Sequence, residues 1–428
     1  MITRTSRRAV LGVFATTAAL AFLAGGLVSS TSAAYTDAAH AKSEPLTAKI
    51  EVPFATGLAP GRSVDTGVGL GSDGNAYVWG RTDMKMAGSN AGGTFQNTTQ
   101  VGGLPAGETA AVTGGIYNFN ALQQDGHVWG WGMYPSRDGT EASRPDNRAE
   151  RVRIGSAWNG GGELLEDIAV ISSTEMAGAG IRTDGTVWAW GSNSYGGLGG
   201  TGATQVPGLP DPIVNDGERF PVSLHGAYRN FWVILNNGEV WYWGSTSSTP
   251  AGDAGSTGGA VMSQALSPWF KSNVPAGQAF IVSVAGGINM GHAVLSDGTV
   301  LTWGSNATRI GGRPAGGGAP AAASPGLVPS TLLSGITRSV AGFTGAALLD
   351  SAGNLYGYGA SDDYGGFPQT SALIDTEVSQ VLAGQGFYIW AKSNGEYWGQ
   401  GYNPAGATGR PTGAALRKIT SVDFSVFH

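Results

Sequence analysis

The chain has 428 residues, of which 30 are acidic and 24 are basic, so its formal charge at pH 7 is −6. A protein that binds duplex nucleic acid is expected to carry a basic stripe that releases counterions, and no long run of Lys or Arg occurs here; the sequence therefore predicts no nucleic-acid partner. It contains no cysteine and 72 glycines, which excludes a disulfide scaffold and favours many tight turns over long solvated helices.

Residues 1–41 have the pattern of a signal peptide. Arg4, Arg7 and Arg8 precede an apolar segment from Ala9 to Val28, and small residues suited to signal-peptidase cleavage follow it. The run SRRAVL around the paired arginines also resembles a twin-arginine export signal. These features predict an exported protein, extracellular or associated with the cell envelope.

Two points about this N-terminal segment stay open. Cleavage could follow Ser32-Ala33-Ala34 or Ala39-His40-Ala41. Alternatively the segment is retained as an anchor, because about twenty mostly apolar residues could span a bilayer. A membrane association is expected only in that second case.

After a lead-in at residues 42–59, one short pattern recurs seven times over residues 60–428. Each copy has a polar turn that ends in glycine, then a short apolar strand, then a second glycine six residues after the first. The turn glycines are Gly74, Gly126, Gly185, Gly238, Gly298, Gly353 and Gly395. Because the six-residue offset is constant while the distance between copies varies, the pattern predicts one domain of rigid hairpins joined by tolerant loops.

The repeated strand is apolar on both faces. The fifth residue after the turn glycine is bulky in most copies: Trp79, Trp131, Trp190, Trp243, Trp303 and Tyr358, with Gln400 in the last copy. The fourth is usually small, and alternate residues of a strand point to opposite faces. Each sheet therefore needs a neighbour on both sides, and a radial ring of sheets supplies one without leaving an apolar end exposed.

The copies resemble the regulator-of-chromosome-condensation (RCC1-like) repeat, and the chain would be a bacterial exported member of that family. Residues 283–306, SVAGGINMGHAVLSDGTVLTWGSN, carry the glycine pair, the acidic-Gly turn and the strand that ends in Trp-Gly. The resemblance implies an all-β, seven-bladed β-propeller of four-stranded antiparallel blades. The nuclear nucleotide-exchange activity of the namesake is not expected for an acidic chain with an export signal.

The two ends of the chain are expected to close the ring. The tail RKITSVDFSVFH reads like the start of another repeat, whereas the first copy has a shortened lead-in. We therefore expect the C-terminal strand to join the first blade, although Lys49 to Phe54 could be the closing segment instead.

No catalytic or metal-binding pattern is present in the sequence. None of the five histidines has a partner at zinc-ligand spacing; His127 follows a turn glycine, and His292 falls where the family has a histidine packed inside the blade. The turn acids alternate with asparagine, as at Asn237 and Asn394, which indicates turn chemistry over acid-base work. The chain is therefore predicted not to be an enzyme, with no metal and no cofactor.

Binding is the function class that these observations favour. Aromatic residues outside the repeated strand are candidate ligand contacts, since exposed aromatics are common interface anchors: Tyr134, Trp158, Tyr195, Trp269, Phe270 and Tyr364. Trp158 and Trp269 are preferred because the other copies have no Trp at equivalent positions. The alternative for each is that it covers the end of its own blade.

The predicted function is therefore a secreted or cell-surface module that binds an unknown protein or cell-surface ligand. An envelope-anchored structural protein is the alternative, and a hydrolase or an inhibitor of an extracellular enzyme follows it.

Overall fold

A computed structural model gives the fold of the chain. It describes residues 57–58, 66–81, 94–132, 148–155, 162–194, 196–198, 202–210, 220–245, 258–264, 266–274, 279–287, 290–304, 326–327, 333–343, 345–359, 367–368, 371–401, 416–420 and 422–427. The predicted signal peptide lies outside these residues. None of the helices within them is long and apolar enough to cross a membrane.

The described strands form seven four-stranded antiparallel sheets, which confirms the seven-bladed propeller. Blades 1 and 2 contain β1 Gly57–Leu58, β2 Thr66–Leu70, β3 Ala76–Arg81, β4 Thr94–Gln100, β5 Thr109–Gly114, β6 Asn118–Gln123, β7 Val128–Gly132 and β8 Glu150–Arg151. Blades 3 and 4 contain β9 Ile168–Ser173, β10 Ala177–Arg182, β11 Val187–Gly191, β12 Thr204–Gln205, β13 Pro221–Gly226, β14 Asn230–Leu235, β15 Val240–Gly244 and β16 Val261–Met262, followed by helix α1 Leu266–Asn273.

The last three blades follow the same order. They contain β17 Ile281–Gly286, β18 Met290–Leu295, β19 Val300–Gly304, β20 Gly326–Leu327, β21 Ile336–Ala341, β22 Gly345–Asp350, β23 Leu355–Gly359, β24 Ala372–Asp375, β25 Val378–Ala383, β26 Phe387–Lys392, β27 Tyr397–Gly401 and β28 Arg417–Lys418. The first strands of successive blades are neighbours around a central channel, and the second, third and fourth strands follow outward.

The turn between the second and third strand of each blade explains the fixed glycine. All seven turn glycines have φ between 75° and 86°, a left-handed conformation that side chains disfavour. A side-chain oxygen holds the turn closed: Asp184 Oδ1 accepts from the Thr186 amide at 2.8 Å, and Asn237 Oδ1 accepts from the Glu239 amide at 3.0 Å. These bonds agree with the turn role predicted for the acids.

The bulky residues of the repeated strand fill the joints between blades. Trp79, Trp131, Trp190, Trp243 and Trp303 are all fully buried. They have two kinds of cross-strand partner. Opposite Trp190 stands Gly178, where a Cβ would lie 2.3 Å from the indole; opposite Trp243 stands Phe231, whose ring stacks on the indole at 5.0 Å.

Ring closure differs in detail from the expectation. β28 pairs with β27 of blade 7, so the prediction that the C-terminal strand joins the first blade is wrong. The innermost strand of blade 1 is β1, which lies slightly before residue 60, where the repeats were expected to begin. Its Leu58 amide donates to Gln380 Oε1 of blade 7 at 2.7 Å. Residues 49–54, the other segment considered, lie outside the described residues.

The C-terminal tail nevertheless contacts blade 1. Its residues 422–427 end in a 3₁₀ turn at Ser425–Phe427, and the Ser72 amide donates to the Val426 carbonyl at 2.9 Å. Phe424 and Phe427 lie against the Trp79 ring at centroid distances of 5.2 and 5.7 Å. The tail is thus an apolar wedge between blades 7 and 1 and not an added strand, because its aromatic residues suit packing into a joint.

Candidate functional site

The loops between the first and second strands meet around one end of the central channel. Backbone hydrogen bonds join the loops of neighbouring blades: the Tyr117 amide donates to the Glu175 carbonyl at 3.0 Å, and the Glu175 amide donates to the Tyr228 carbonyl at 2.8 Å. On the other side the Phe343 amide donates to the Gln385 carbonyl at 2.6 Å. We call this set of loops the channel rim; its side chains are Tyr117, Glu175, Tyr228, Arg229, Phe343 and Gln385.

The aromatic side chains of the channel rim are half-buried. Tyr228 and Phe343, from blades 4 and 6, pack edge to face with their ring centroids 5.5 Å apart. The Arg229 guanidinium lies 4.6 Å from the Tyr228 ring centroid, a cation–π arrangement. Because these residues come from loops of different blades, only the closed ring brings them together.

A concavity lies beside this aromatic pair. Its lining comes from blades 4 to 7: Tyr228, Gly287, Ala341, Gly342, Phe343, Gly384 and Gln385. Glycine is required at two of these positions, since a Cβ on Gly287 would lie 2.5 Å from the Phe343 carbonyl oxygen and one on Gly342 would lie 2.6 Å from the Tyr388 hydroxyl. The glycine pair of the repeat therefore lets adjacent loops approach closely.

One ion pair organises the charge of the channel rim. The Arg229 Nε donates to Glu175 Oε2, and the Glu175 side chain is only 7% exposed while that of Arg229 is 19% exposed. A buried carboxylate requires such a partner. The ion pair holds the guanidinium beside the Tyr228 ring, where it stays partly exposed to solvent.

The opposite face, which carries the turns between second and third strands, also has half-buried aromatics. Several are bonded within their own repeat: Trp188 Nε1 donates to Thr186 Oγ1 at 3.0 Å, and Trp398 Nε1 donates to Glu396 Oε2 at 3.2 Å. The equivalent Trp129 Nε1 has no hydrogen-bond partner among the described residues. Tyr77 donates to Asp73 Oδ2 at 2.7 Å, and burial together with this bond raises the pKa of Tyr77 to about 12. The repetition of these residues, and the local hydrogen bonds that several of them make, indicate that they stabilise the turns.

Two of the six aromatic candidates from the sequence lie in the described residues, and both are on α1. Phe270 is only 8% exposed, and its ring contacts the turn at Gly238, 3.0 Å from where a Cβ would stand; its role as a ligand contact stays a prediction. Trp269 is half-buried against the same apolar cluster. Tyr134, Trp158, Tyr195 and Tyr364 lie outside the described residues.

The histidines in the described part of the chain lie apart from one another. His127 Nε2 lies 3.1 Å from Glu166 Oε1 and its Nδ1 lies 2.7 Å from Asp125 Oδ2, at the surface turn of blade 2. His292 is fully buried in blade 5. Within the described residues no cluster of His, Cys, Asp or Glu could hold a metal ion.

None of the candidate residues predicted from the sequence lies in the channel rim. Its signal is the variable position after the glycine-containing end of each first strand, as in GGIYN, GAYRN and AGFTG. These positions are aromatic in some copies and not in others, a pattern that is typical of variable loops. Only the closed ring shows that Tyr228 and Phe343 face one another.

Comparisons with curated proteins find the same repeat. No protein-family profile matches the chain. It is 25% identical over 191 residues to the mitochondrial RCC1 domain-containing protein RUG3 of Arabidopsis thaliana, a match covering 42% of this chain and 40% of that protein. It is 25% identical over 193 residues to human E3 ubiquitin-protein ligase HERC2, covering 44% of this chain and 4% of HERC2. The match thus spans less than half of either relative.

Solved structures show the same fold. Yeast RCC1 (Prp20) in its complex with Kap60 aligns with a TM-score of 0.64 and 17% identity over 99% of this chain and 92% of that chain. Prp20p of Saccharomyces cerevisiae gives 0.63 and 16%, over 90% and 91%. Human WBSCR16 gives 0.60 and 14%, over 79% and 88%. At these identities the likeness shows the fold alone, and with the RCC1-domain relatives it confirms the resemblance to the RCC1-like repeat family.

Proposed function

We propose that this RCC1-like propeller is a binding module that captures a protein ligand at the channel rim. The observation that carries the proposal is the Tyr228–Phe343 pair, held beside a concavity with Arg229 stacked on Tyr228. Tyr and Arg are enriched among the residues that dominate interface energies. Half-buried rings fixed by their neighbours also lose little conformational entropy on binding.

Solved relatives support a role in protein binding for this fold. The work on Prp20p concerns its binding to Gsp1p and histones, and yeast RCC1 was solved bound by Kap60. Those partners belong to those proteins, because fold alone does not transfer a site. What we carry over is the class of function, a propeller that presents one face to a protein.

We place the module outside the cell, released or held at the envelope. The arginines and apolar segment of residues 1–41 support export, and the absence of cysteine means that the fold needs no disulfide in an oxidising compartment. An N-terminal mass measurement on secreted material tests this placement. A mature chain that begins after residue 34 or 41 supports release, and a full-length chain in the membrane fraction supports the anchored alternative.

Capture experiments with matched variants test the rim. The mature chain, immobilised, is used to capture proteins from culture fluid, and each captured protein is measured again with Tyr228→Ala and Phe343→Ala. We expect each variant to weaken binding by about tenfold or more, the effect of an interface anchor. Leu373→Ala is the control, because Leu373 is 54% exposed on the outer strand of blade 6.

The comparison between variants decides the proposal. A ligand whose affinity falls with both rim variants and not with Leu373→Ala binds at the channel rim. A ligand captured equally by all variants shows that the rim is not the binding surface, and melting curves confirm that the rim variants are folded.

A further inference from the structure

The concavity beside the Tyr228–Phe343 pair is small. Even when the space open to solvent is counted, its volume is about 200 Å³, whereas pockets that enclose small-molecule ligands measure roughly 300–1,000 Å³. Its lining consists of the two aromatic rings, three glycines, one alanine and Gln385. The concavity therefore suits one side chain of a protein ligand better than a whole small molecule.

The glycines and their neighbours fix the shape of this concavity. A Cβ on Gly384 would overlap the Phe387 ring, and one on Gly287 would lie 2.5 Å from the Phe343 carbonyl oxygen. Phe387 is fully buried, and the Phe343 amide donates to the Gln385 carbonyl at 2.6 Å. Because its walls are held by buried rings and backbone hydrogen bonds, the concavity is formed before a ligand arrives, which lowers the entropy lost on binding.

The lining favours an apolar side chain as the occupant. Among the described residues, no charged side chain lines the concavity. A charged group that entered it would lose its hydration without gaining an opposite charge. A large apolar side chain would instead bury its surface against the Tyr228 and Phe343 rings.

The charge beside the concavity is that of Arg229. Its Cζ lies 4.6 Å from the centroid of the Tyr228 ring, and that ring lines the concavity. The Glu175 side chain that pairs with Arg229 is 7% exposed, against 19% for Arg229 itself, so a ligand at the channel rim meets the guanidinium more readily than the carboxylate. A guanidinium has five N–H donors, and it can pair with Glu175 and with a carboxylate of the ligand at the same time.

The charge of the whole chain makes this preference a local one. With a formal charge of −6, the protein does not attract acidic ligands over long distances. Exposed charges more than roughly 10 Å apart are in any case largely screened at physiological salt. An acidic residue of the ligand is therefore favoured only where it reaches Arg229, directly beside the apolar anchor.

We infer that the protein ligand of the channel rim inserts one large apolar side chain, such as Leu, Met or Phe, into the concavity and places an Asp or Glu of the same segment against Arg229. The inference rests on the proposed capture of a protein at the rim and adds the chemistry of the segment that is recognised. An apolar anchor in a pocket with a charged contact beside it is the usual composition of an interface centre.

Selection from a library of random peptides displayed on phage tests the inference. The library is selected on the immobilised protein, and each enriched peptide is synthesised and titrated against the unmodified protein, Tyr228→Ala and Leu373→Ala. We expect a consensus of one large apolar residue with a neighbouring Asp or Glu. Affinity should fall about tenfold or more with Tyr228→Ala and should not change with Leu373→Ala, which lies on the outer strand of blade 6.

A double-mutant cycle tests the acidic contact. In the peptide, the acidic residue is replaced by its amide. In the protein, Glu175→Gln and Arg229→Gln are combined, so that both charges are removed and neither is left buried without a partner. The amide peptide should bind the unmodified protein about fivefold more weakly than the acidic peptide, whereas the double variant should bind both peptides equally.

The apolar contact is tested in the same way. Replacement of the apolar residue of the peptide by Ala should weaken binding to the unmodified protein about tenfold. Phe343→Ala removes one wall of the concavity, so it should weaken the original peptide much more than the Ala peptide. Melting curves establish that each variant is folded. Should the double variant at Glu175 and Arg229 fail to fold, the acidic peptide is compared with its amide and Lys forms on the unmodified protein, and the Lys form should bind most weakly.

The outcomes separate this inference from the proposed function. A consensus that is basic or lacks an apolar residue, or cycles without coupling, would overturn the inference, while sensitivity to Tyr228→Ala would still support capture at the channel rim. Peptides that bind Tyr228→Ala as well as the unmodified protein, or a selection that enriches none, would also overturn it. The capture experiment with culture fluid then decides the proposed function by itself.

Discussion

The joint between blades 2 and 3 is packed differently from the joint between blades 7 and 1. In the first, Trp190 of blade 3 is fully buried, and its Nε1 donates to Asn120 Oδ1 of blade 2 at 2.8 Å; Asn120 in turn donates to Ser173 Oγ at 2.8 Å. In the second, Trp79 packs against Phe424 and Phe427 of the tail. The joint between blades 2 and 3 is thus formed by residues of the repeats, whereas the joint between blades 7 and 1 also contains residues of the C-terminal tail.

The difference follows from chain connectivity. Blades 2 and 3 follow one another along the chain, so the repeat fixes both sides of their joint, and a directional hydrogen bond can be maintained. Blades 7 and 1 are far apart along the chain, and they are joined by the Leu58–Gln380 and Ser72–Val426 hydrogen bonds and by the packing of the tail. Apolar contacts are less demanding of geometry than hydrogen bonds and therefore suit a joint whose two sides are not adjacent in the sequence.

Removal of the tail should have the largest effect. Deleting Lys418–His428 uncovers Trp79 and leaves the closing joint without Phe424 and Phe427, besides shortening β28. Because every blade depends on its neighbours, we expect the whole ring to lose cooperative unfolding or to melt far lower. Circular dichroism melting measures this, and an unchanged curve would show that the tail is dispensable for closure.

Truncation of a joint tryptophan should come next. Trp190→Ala and Trp243→Ala each remove a fully buried indole, and the cavity should cost about 3–5 kcal/mol in the free energy of unfolding. Denaturant titration gives the value. A cost below about 1 kcal/mol at either position would contradict the view that these residues hold the blades together.

The corresponding phenylalanine variants separate packing from hydrogen bonding at the same two positions. Trp190→Phe leaves Asn120 Oδ1 without its donor, at an additional cost of about 1–3 kcal/mol, whereas the Trp243 Nε1 has no hydrogen-bond partner in the described residues. Trp190→Phe should therefore be the more destabilising. Equal losses would mean that the bond to Asn120 contributes nothing measurable.

One interblade hydrogen bond has a carboxylate as its acceptor, so the stability of the fold is expected to depend on pH there. Asp375 of blade 6 accepts from Trp390 Nε1 at 2.9 Å and Lys392 Nζ at 2.8 Å, both of blade 7. Partial burial raises the pKa of Asp375, but these bonds outweigh it and leave the pKa below 3.8. A lowered folded-state pKa means that the stabilisation is present above the unfolded value and is lost as the pH falls through the folded value.

We therefore expect Asp375→Asn to cost about 1–3 kcal/mol at pH 7 and progressively less as the pH falls through the lowered pKa of Asp375, where the unmodified protein loses the charge. Denaturant titrations at a series of pH values from 7 downward check this. The neutral Asn120–Trp190 bond should show no such change, so Asn120→Ala is the control. A cost for Asp375→Asn that is independent of pH would contradict the assignment.

The smallest effect is expected at Trp269. This side chain is half-buried on α1, against the apolar cluster that contains Phe270, so Trp269→Ala should cost under about 1 kcal/mol of stability. Phe270→Ala is the matched comparison and should cost clearly more, since that ring is buried. A loss at Trp269 as large as that at Phe270 would make it a packing residue of blade 4.

Much of the fold could be predicted because each repeat is a local structure. A glycine with positive φ, an Asx-type bond and an alternating apolar strand act within about ten residues, so the seven hairpins and their buried tryptophans follow from the letters. The candidate site could not be predicted in the same way. The channel rim joins residues more than a hundred positions apart, such as Tyr228 and Phe343, and no local signal relates them.

The sequence by itself determined the number of blades, the turn at each glycine and the apolar character of both sheet faces, because these depend on backbone conformation and on residues close along the chain. Only the tertiary structure decided how the ring closes and what lies at its centre. Whether the tail adds a strand or packs as a wedge depends on the space left between blades 7 and 1. Likewise Tyr228 and Phe343 are ordinary loop residues in the sequence, and they pack against each other because the closed ring brings the loops of blades 4 and 6 together.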